Sequence, residues 1–222
     1  MTLVVKFKPE ASRMTENIDP RPLYRRAVAQ TETVVNAVTQ DQLGLPTPCT
    51  EYDVRTLIAH ITGGLTRTAL VGEGDPEALA RPSMALLPPG ETTPPEPPCG
   101  LRPPDDGWPA AYRAAAARAA AAWSDDAKLD TLFEVPWGKV PGRIALSGYV
   151  QEVLAHGWDL AQATGQPTEG DPELALFALA GAKRILPADI RGADDIPFGQ
   201  VVEVPPDATP YTQLAAWLGR HP

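Results

Sequence analysis

Apolar residues recur every three to four positions along most of the chain, which is the spacing of one face of an α-helix. In residues 20–39 this spacing is carried by Leu23, Ala27, Val35 and Val38, with charged residues between them. End signals and composition, such as the Ala- and Arg-rich stretch 108–123, predict five further helices, over residues 51–70, 108–123, 143–164, 171–186 and 211–218. Four substantial helices with long connections predict a helical bundle that carries a smaller C-terminal appendage.

Residues favoured at helix ends mark several of these boundaries. Thr50 can accept a hydrogen bond from the amide three residues on, at Asp53, so the second helix is expected to begin at about residue 51. Gly165 is suited to end the fourth helix, because glycine adopts the left-handed conformation common at that position. Asp171 followed by Pro172 predicts a capped start for the fifth helix.

The connections are rich in proline and glycine, which interrupt regular helices and central strands. Many of the 26 prolines fall in residues 72–107, where we expect an irregular loop, and a second loop is predicted over residues 136–142. Residues 198–206 are predicted to be extended. The predicted fold class is mainly all-α, a four-helix bundle with a small C-terminal α/β appendage. Its three parts are an N-terminal extension (1–19), the bundle (20–190) and a small C-terminal segment (191–222).

The charge and the cysteine content restrict the partners and the compartment. The formal net charge is −9 and basic residues are scattered, so nucleic acid and anionic membranes are not expected partners. No stretch is long and apolar enough to span a bilayer, and the apolar run 3–5 is too short for a signal peptide. We therefore expect a cytoplasmic protein in which Cys49 and Cys99 are reduced, with a disulfide as the less favoured alternative.

The histidines are the first candidates for chemistry. Of the three in the chain, His221 is the penultimate residue and is expected to have no role, whereas His60 and His156 lie in predicted helices. Glu152 precedes His156 by four residues, so the two side chains share one helix face, and Asp159 continues it. Two histidines and one carboxylate can hold a divalent ion and leave a coordination position open, as in catalytic zinc sites.

The alternative to a metal site is ordinary packing, with an ion pair within one helix and a histidine in the core. Two features near His60 favour a ligand site. Gly63 and Gly64 leave room beside it, at a cost in helix stability of about 1 kcal/mol each. Arg67 lies seven residues further on the same face and could bind an anionic group. Cys49 is expected to pack in its loop rather than to act as a nucleophile.

Three segments carry a resemblance to a known family: TPCTEYDVRTLIAHITGG (47–64), GYVQEVLAHGWDLAQATGQP (148–167) and FGQVVEVPPDATPYTQLAAWLGRHP (198–222). They resemble the DinB/YfiT-like superfamily, within it the actinobacterial branch related to mycothiol-dependent maleylpyruvate isomerase and mycothiol S-transferases. The resemblance covers residues 20–222 apart from the Pro-rich loop. It implies a DinB-like four-helix bundle.

The resemblance also implies a divalent metal, most often zinc, held by His60, Glu152 and His156. Many relatives have histidine at the position of Glu152. A glutamate there, as in this chain, is typical of the isomerase-like branch. Mycothiol is the implied thiol cosubstrate, which a metal would deprotonate so that the thiolate attacks an electrophilic carbon. Asp159 and Arg67 are the candidates for orienting substrate or relaying protons.

The function predicted from these observations is a mycothiol S-transferase or a thiol-dependent isomerase that acts on an electrophilic small molecule, for example in a natural-product pathway. Two alternatives stay open. A metal-dependent hydrolase would use water in place of the thiol, and a non-catalytic metal-binding protein would serve as a sensor or partner-binding module. Either a monomer or a homodimer fits the sequence.

Overall fold

The computed structural model describes residues 18–50, 52–79, 107–191 and 199–222. Within them it is mostly helical, which confirms the predicted fold class. The helices are α1 (Arg21–Ala37), α2 (Val54–Glu73), α3 (Trp108–Ala122), α4 (Gly142–Thr164), α5 (Pro172–Ile185) and α6 (Pro210–Trp217). None of these helices is long and apolar enough to cross a membrane. Most of the extension 1–19 and of the loop 72–107, including Cys99, lies outside the described residues.

The first four helices form the bundle. Helices α1 and α2 each pack against both α3 and α4, so α1 lies diagonally across the bundle from α2. The apolar faces predicted from the sequence meet in one core. Its largest fully buried side chains include Trp108, Trp123, Tyr112, Leu57, Leu65, Leu146 and Leu154.

Helices α1 and α4 approach closely at Gly157, the residue after His156. A Cβ atom at Gly157 would lie 2.4 Å from Oγ1 of Thr31, so a side chain there would force the two helices apart. Thr31 also donates a hydrogen bond across the same contact to the carbonyl of Val153, at 3.2 Å. The glycine therefore lets α1 lie against the segment of α4 that carries the candidate ligands.

Helix α6 packs against α5 and α4. Leu174 of α5 and Leu214 of α6 belong to the same apolar cluster as the bundle. The hydroxyl of Tyr211 bonds the side chain of Gln30 on α1. These contacts bring the end of the chain to the face of α4 on which Asp159 lies.

Helix α2 begins later than predicted. Asp53, rather than Thr50, is the N-cap: its carboxylate accepts a hydrogen bond from the amide of Thr56 at 2.7 Å. The amide of Val54 is bonded at 3.0 Å to the carbonyl of Leu45 in the preceding loop. This contact, which the local sequence does not reveal, fixes Val54 at the start of the helix.

The loop predicted over residues 136–142 is correct only at its first two residues, which form a turn, because residues 138–141 are a strand of a two-stranded antiparallel sheet. Strand β1 (Leu132–Val135) pairs with β2 (Gly138–Pro141), with Val135 opposite Gly138. Gly138 has φ +128°, which glycine adopts without strain at this turn. Residues 198–206, predicted to be extended, form no strand in their described part, 199–206. The small sheet therefore lies before α4.

Candidate metal centre

Three donor groups from α2 and α4 converge on one point. His60 projects from α2, and Glu152 and His156 lie one turn apart on α4. Nε2 of His60 is 3.1 Å from Oε1 of Glu152, and Nε2 of His156 is 3.5 Å from the same oxygen. The two imidazole rings meet edge to face with centroids 4.7 Å apart. The fold thus brings together the three residues that the sequence suggested as ligands.

The donor set fits a zinc ion. Zinc binds imidazole nitrogen and carboxylate oxygen at about 2.0–2.2 Å in tetrahedral geometry, so neighbouring donors are about 3.3–3.6 Å apart. The separations of 3.1 and 3.5 Å lie close to that range, and all three donors lie within 4.8 Å of one another. Three protein donors leave one position for water or a ligand.

The other nitrogen of His156 faces a buried carboxylate. Nδ1 of His156 lies 3.1 Å from Oδ2 of Asp159, a side chain with no solvent exposure. Arg220, from the end of the chain, donates two hydrogen bonds to Asp159, from Nε at 3.0 Å and from Nη2 at 2.8 Å. A carboxylate on the far nitrogen of a histidine fixes its ring orientation and directs Nε2 toward a metal.

The charges of this cluster shift its proton affinities strongly. Burial alone would raise the pKa of Glu152, but the charge of His156 and hydrogen bonds from His156 and His60 hold it well below its usual range. Burial alone would lower the pKa of His156, yet Glu152 and Asp159 outweigh burial and raise it to about 9. Without a metal, therefore, His156 is a cation between two carboxylates, and an incoming metal ion must displace its proton.

Asp159 and Arg220 form a charged pair behind the site. Burial opposes ionisation of Asp159, but hydrogen bonds from His156 and Arg220 lower its pKa. Burial likewise disfavours the charge on Arg220, and the hydrogen bonds to Asp159 raise its pKa instead. Both groups therefore stay charged, and the positive charge of Arg220 offsets the negative charge of Asp159 beside His156.

Residues around the donors form the walls of the site. The ring of Tyr52 lies over His60, with centroids 5.3 Å apart. A Cβ atom at Gly64 would meet nothing within 4 Å, so the space expected beside His60 is present. Arg67 donates from Nε to the carbonyl of Ala78 at 3.1 Å, and its charge acts on that of Glu152. The missing side chain of Gly64 thus leaves a recess one helical turn from His60.

Cys49 lies nearer to the site than the sequence suggested. Its sulfur is within 4.8 Å of a ligand atom of His156 and of Asp159. The guanidinium of Arg220 already pairs with Asp159 there, so a positive charge is present where this second group would hold an ion. The group His60, Glu152 and His156 is therefore the better candidate to hold a metal ion.

Sequence reasoning missed one group that shapes the site, the guanidinium of Arg220. Arg220 lies 61 residues from Asp159, and no local spacing links them. His221 is exposed at the end of the chain, as expected of a residue without a role.

Comparison with known proteins identifies a matching family, two relatives and a structure with a similar fold. The family described as the mycothiol maleylpyruvate isomerase N-terminal domain matches residues 24–161, which include all three donors. Two uncharacterized proteins of Mycobacterium tuberculosis, from strains CDC 1551 / Oshkosh and ATCC 25618 / H37Rv, are each 37% identical over 203 residues, 91% of this chain and 98% of theirs. A crystal structure of mycothiol-dependent maleylpyruvate isomerase shares the fold, with a TM-score of 0.53 at 17% identity over 74% of this chain and 69% of that one.

Proposed function

Since this chain belongs to the mycothiol maleylpyruvate isomerase N-terminal domain family, we propose that it is a metal-dependent enzyme that uses mycothiol. It transfers the thiol to an electrophilic small molecule or isomerises that molecule through a thiol adduct. The observation that carries this proposal is the convergence of His60, Glu152 and His156, whose ligand atoms lie within 4.8 Å of one another. The family name supports the choice of thiol.

The donor set supports zinc as the metal. Bound by two imidazoles and one carboxylate, zinc would act as a Lewis acid that lowers the pKa of a thiol in the open position. Glu152 reduces the net charge of such a site by one. Asp159 and Arg220 keep the ring of His156 in one orientation, so the ring does not have to rotate when substrate binds. In this proposal Asp159 is a positioning residue.

Residues beside the donors support the binding of a thiol and a second molecule. The recess at Gly64 leaves space one helical turn from His60, and the ring of Tyr52 lies against the ring of His60. Arg67 contributes a positive charge further along α2. The proposal gives Arg67 the role of orienting the electrophile.

The metal is tested by elemental analysis of the purified full-length protein. Wild type should carry close to one zinc per chain, and His60→Ala and His156→Ala should each lose it. His221→Ala is the matched control, because it removes an exposed histidine and should keep the metal. Glu152→Gln should weaken binding less than loss of either histidine, since the amide oxygen can still ligate. Equal metal content in all these variants would exclude the site.

The thiol is tested with zinc-loaded and metal-free protein side by side. Mycothiol should raise the melting temperature of the zinc-loaded form and leave the metal-free form unchanged, because a ligand stabilises only the state that it binds. Turnover of an electrophile such as monobromobimane should require both zinc and mycothiol. Turnover without thiol would indicate a hydrolase, and zinc binding without any thiol response would indicate a non-catalytic protein. Either result would overturn the proposed reaction.

A further inference from the structure

Arg191 joins three segments of the chain beside its last helix. The residue is 6% exposed, and its guanidinium donates hydrogen bonds to three backbone carbonyls. They belong to Leu186 at the end of α5, to Gly199, and to Trp217, the last residue of α6, at 3.2, 3.2 and 2.9 Å. A guanidinium donates in fixed directions, so several carbonyls bound to it are held in one arrangement. Arg191 therefore fixes where α6 ends.

The chain turns between the end of α6 and Arg220. Gly219 has φ +83°, which glycine adopts without strain, and the amide of Arg220 donates to the carbonyl of Ala215 at 2.9 Å. A Cβ atom at Gly219 would lie 3.0 Å from the backbone of Gly199, whose carbonyl Arg191 binds. The turn that aims Arg220 is thus packed against a segment that Arg191 holds.

The charge of Arg191 also acts on Arg220. Burial lowers the pKa of Arg191, and the positive charge of Arg220 lowers it further, so the two guanidiniums lie within electrostatic range of each other. Arg220 points instead to Asp159, with Nη2 2.8 Å from Oδ2. Repulsion by Arg191 and attraction by Asp159 therefore favour the same orientation of Arg220.

We propose that Arg191 is a positioning residue of the metal centre. It acts through Arg220 and Asp159, the charged pair behind His156. This inference rests on the proposed function and extends its site to the segments that hold the last turn of the chain. Arg191 fixes the turn, the turn aims Arg220, and Arg220 pairs with the carboxylate that faces Nδ1 of His156. Loss of Arg191 should loosen this pair and weaken zinc binding, although no ligand is removed.

The Nε–H group of Arg220 reports its orientation in the metal-free, full-length protein. It donates to Asp159 at 3.0 Å, so its proton should exchange slowly with water and give an NMR signal that Arg220→Gln removes. Arg191→Met removes the charge and the donors but keeps most of the volume, and it should speed this exchange about tenfold, the effect of weakening one charge-assisted hydrogen bond. Lys128→Met is the matched control, because Nζ of Lys128 likewise bonds carbonyls near the ends of two helices, α2 and α3. It should lower stability and leave the Arg220 signal unchanged.

Zinc affinity is the second readout, measured by competition with a zinc indicator. Arg191→Met should weaken it about tenfold, within the usual effect of losing a partner behind a metal ligand. The same change should add little in an Asp159→Asn background, because both act on one pair. Arg191→Lys keeps the charge and should lose less affinity, and Lys128→Met should keep the affinity of wild type.

An unchanged Arg220 signal together with wild-type zinc affinity in Arg191→Met would overturn the inference. Equal losses in Arg191→Met and Lys128→Met would also overturn it, because they would reflect general destabilisation. Gly219→Ala disturbs the same turn without changing a charge. It should show the same faster exchange, and it decides the question if Arg191→Met does not fold. A wild type that binds no zinc would contradict the proposed function, whereas the exchange of Arg220 would still decide whether Arg191 aims it.

Discussion

Asp159 lies 3.1 Å from Nδ1 of His156, on the side of the imidazole ring that faces away from Glu152. The ring thus bridges a buried carboxylate and the candidate metal position. Because Asp159 is itself paired with Arg220, the orientation of His156 depends on the last residues of the chain.

Asp159→Asn should weaken zinc binding by about 10–100-fold, the usual effect of losing a partner behind a metal ligand. The asparagine can still accept a hydrogen bond from His156, but it leaves the buried charge of Arg220 uncompensated. We expect a loss of about 3 kcal/mol in the free energy of unfolding. Asp130→Asn is the control, because Asp130 pairs with Arg143 while its own side chain is 77% exposed, and it should cost less than about 1 kcal/mol. Equal effects of the two variants on zinc affinity and stability would contradict this role.

Arg220→Gln should act through Asp159 and not add to its loss. Each single variant breaks the same pair, so the double variant should lose less zinc affinity and stability than the sum of the two. Competition titrations with a zinc indicator and urea unfolding provide the two measurements. Strict additivity would mean that Arg220 affects the site by another route.

Zinc affinity should depend steeply on pH. The pKa of His156 in the metal-free protein is raised to about 9, so zinc must displace a proton at neutral pH. The apparent affinity should rise about tenfold per pH unit up to about pH 9. Calorimetry in buffers of different ionisation enthalpy counts the proton released at pH 7.5. Zinc binding without proton release at that pH would contradict the prediction.

The stability of the metal-free protein should have a narrow optimum. Folding lowers the pKa values of Glu152 and Asp159. Their contribution to the free energy of unfolding is therefore present above the pKa values of the unfolded chain, about 4.5 and 3.8, and is lost as the pH falls below them. His156 has a raised pKa, so its contribution is complete below 6.5 and is lost as the pH rises through about 9. We expect maximal stability between about pH 4.5 and 6.5 and a loss of about 1–3 kcal/mol by pH 9. His156→Gln should flatten this alkaline loss in urea titrations, and an unchanged pH profile would argue against the assignment.

Two glycine variants should have opposite effects on stability. Gly157→Ala places a Cβ atom 2.4 Å from Oγ1 of Thr31 and should cost about 1–3 kcal/mol. The cost should be smaller in a Thr31→Ala background, which removes the nearest atoms. Gly64→Ala meets open space and should stabilise α2 by up to about 1 kcal/mol. It should keep the zinc but weaken binding of mycothiol, because its methyl group enters the recess. Urea unfolding and zinc content check both variants.

The local sequence determined the helices and the spacing of the candidate ligands within them. Apolar spacing, end signals and composition together predicted the six α-helices of the described residues to within a few positions. Glu152 and His156 could be assigned to one face because helix geometry fixes the direction of residues four apart. The gap at Gly64 could be predicted for a similar reason, since the absence of a side chain is a property of the residue itself.

Contacts between distant segments decided the rest. The meeting of His60 with Glu152 depends on how α2 packs on α4, and sequence motifs indicated it only through resemblance to a family. The pair Asp159–Arg220 joins residues 61 positions apart, which no periodic pattern can relate. Helix α2 begins at Val54, later than predicted, because the amide of Val54 donates a hydrogen bond to a carbonyl of the preceding loop. In each case the stabilising contact is with a residue that is distant in sequence and becomes a neighbour only when the chain has folded. The local sequence therefore cannot reveal it.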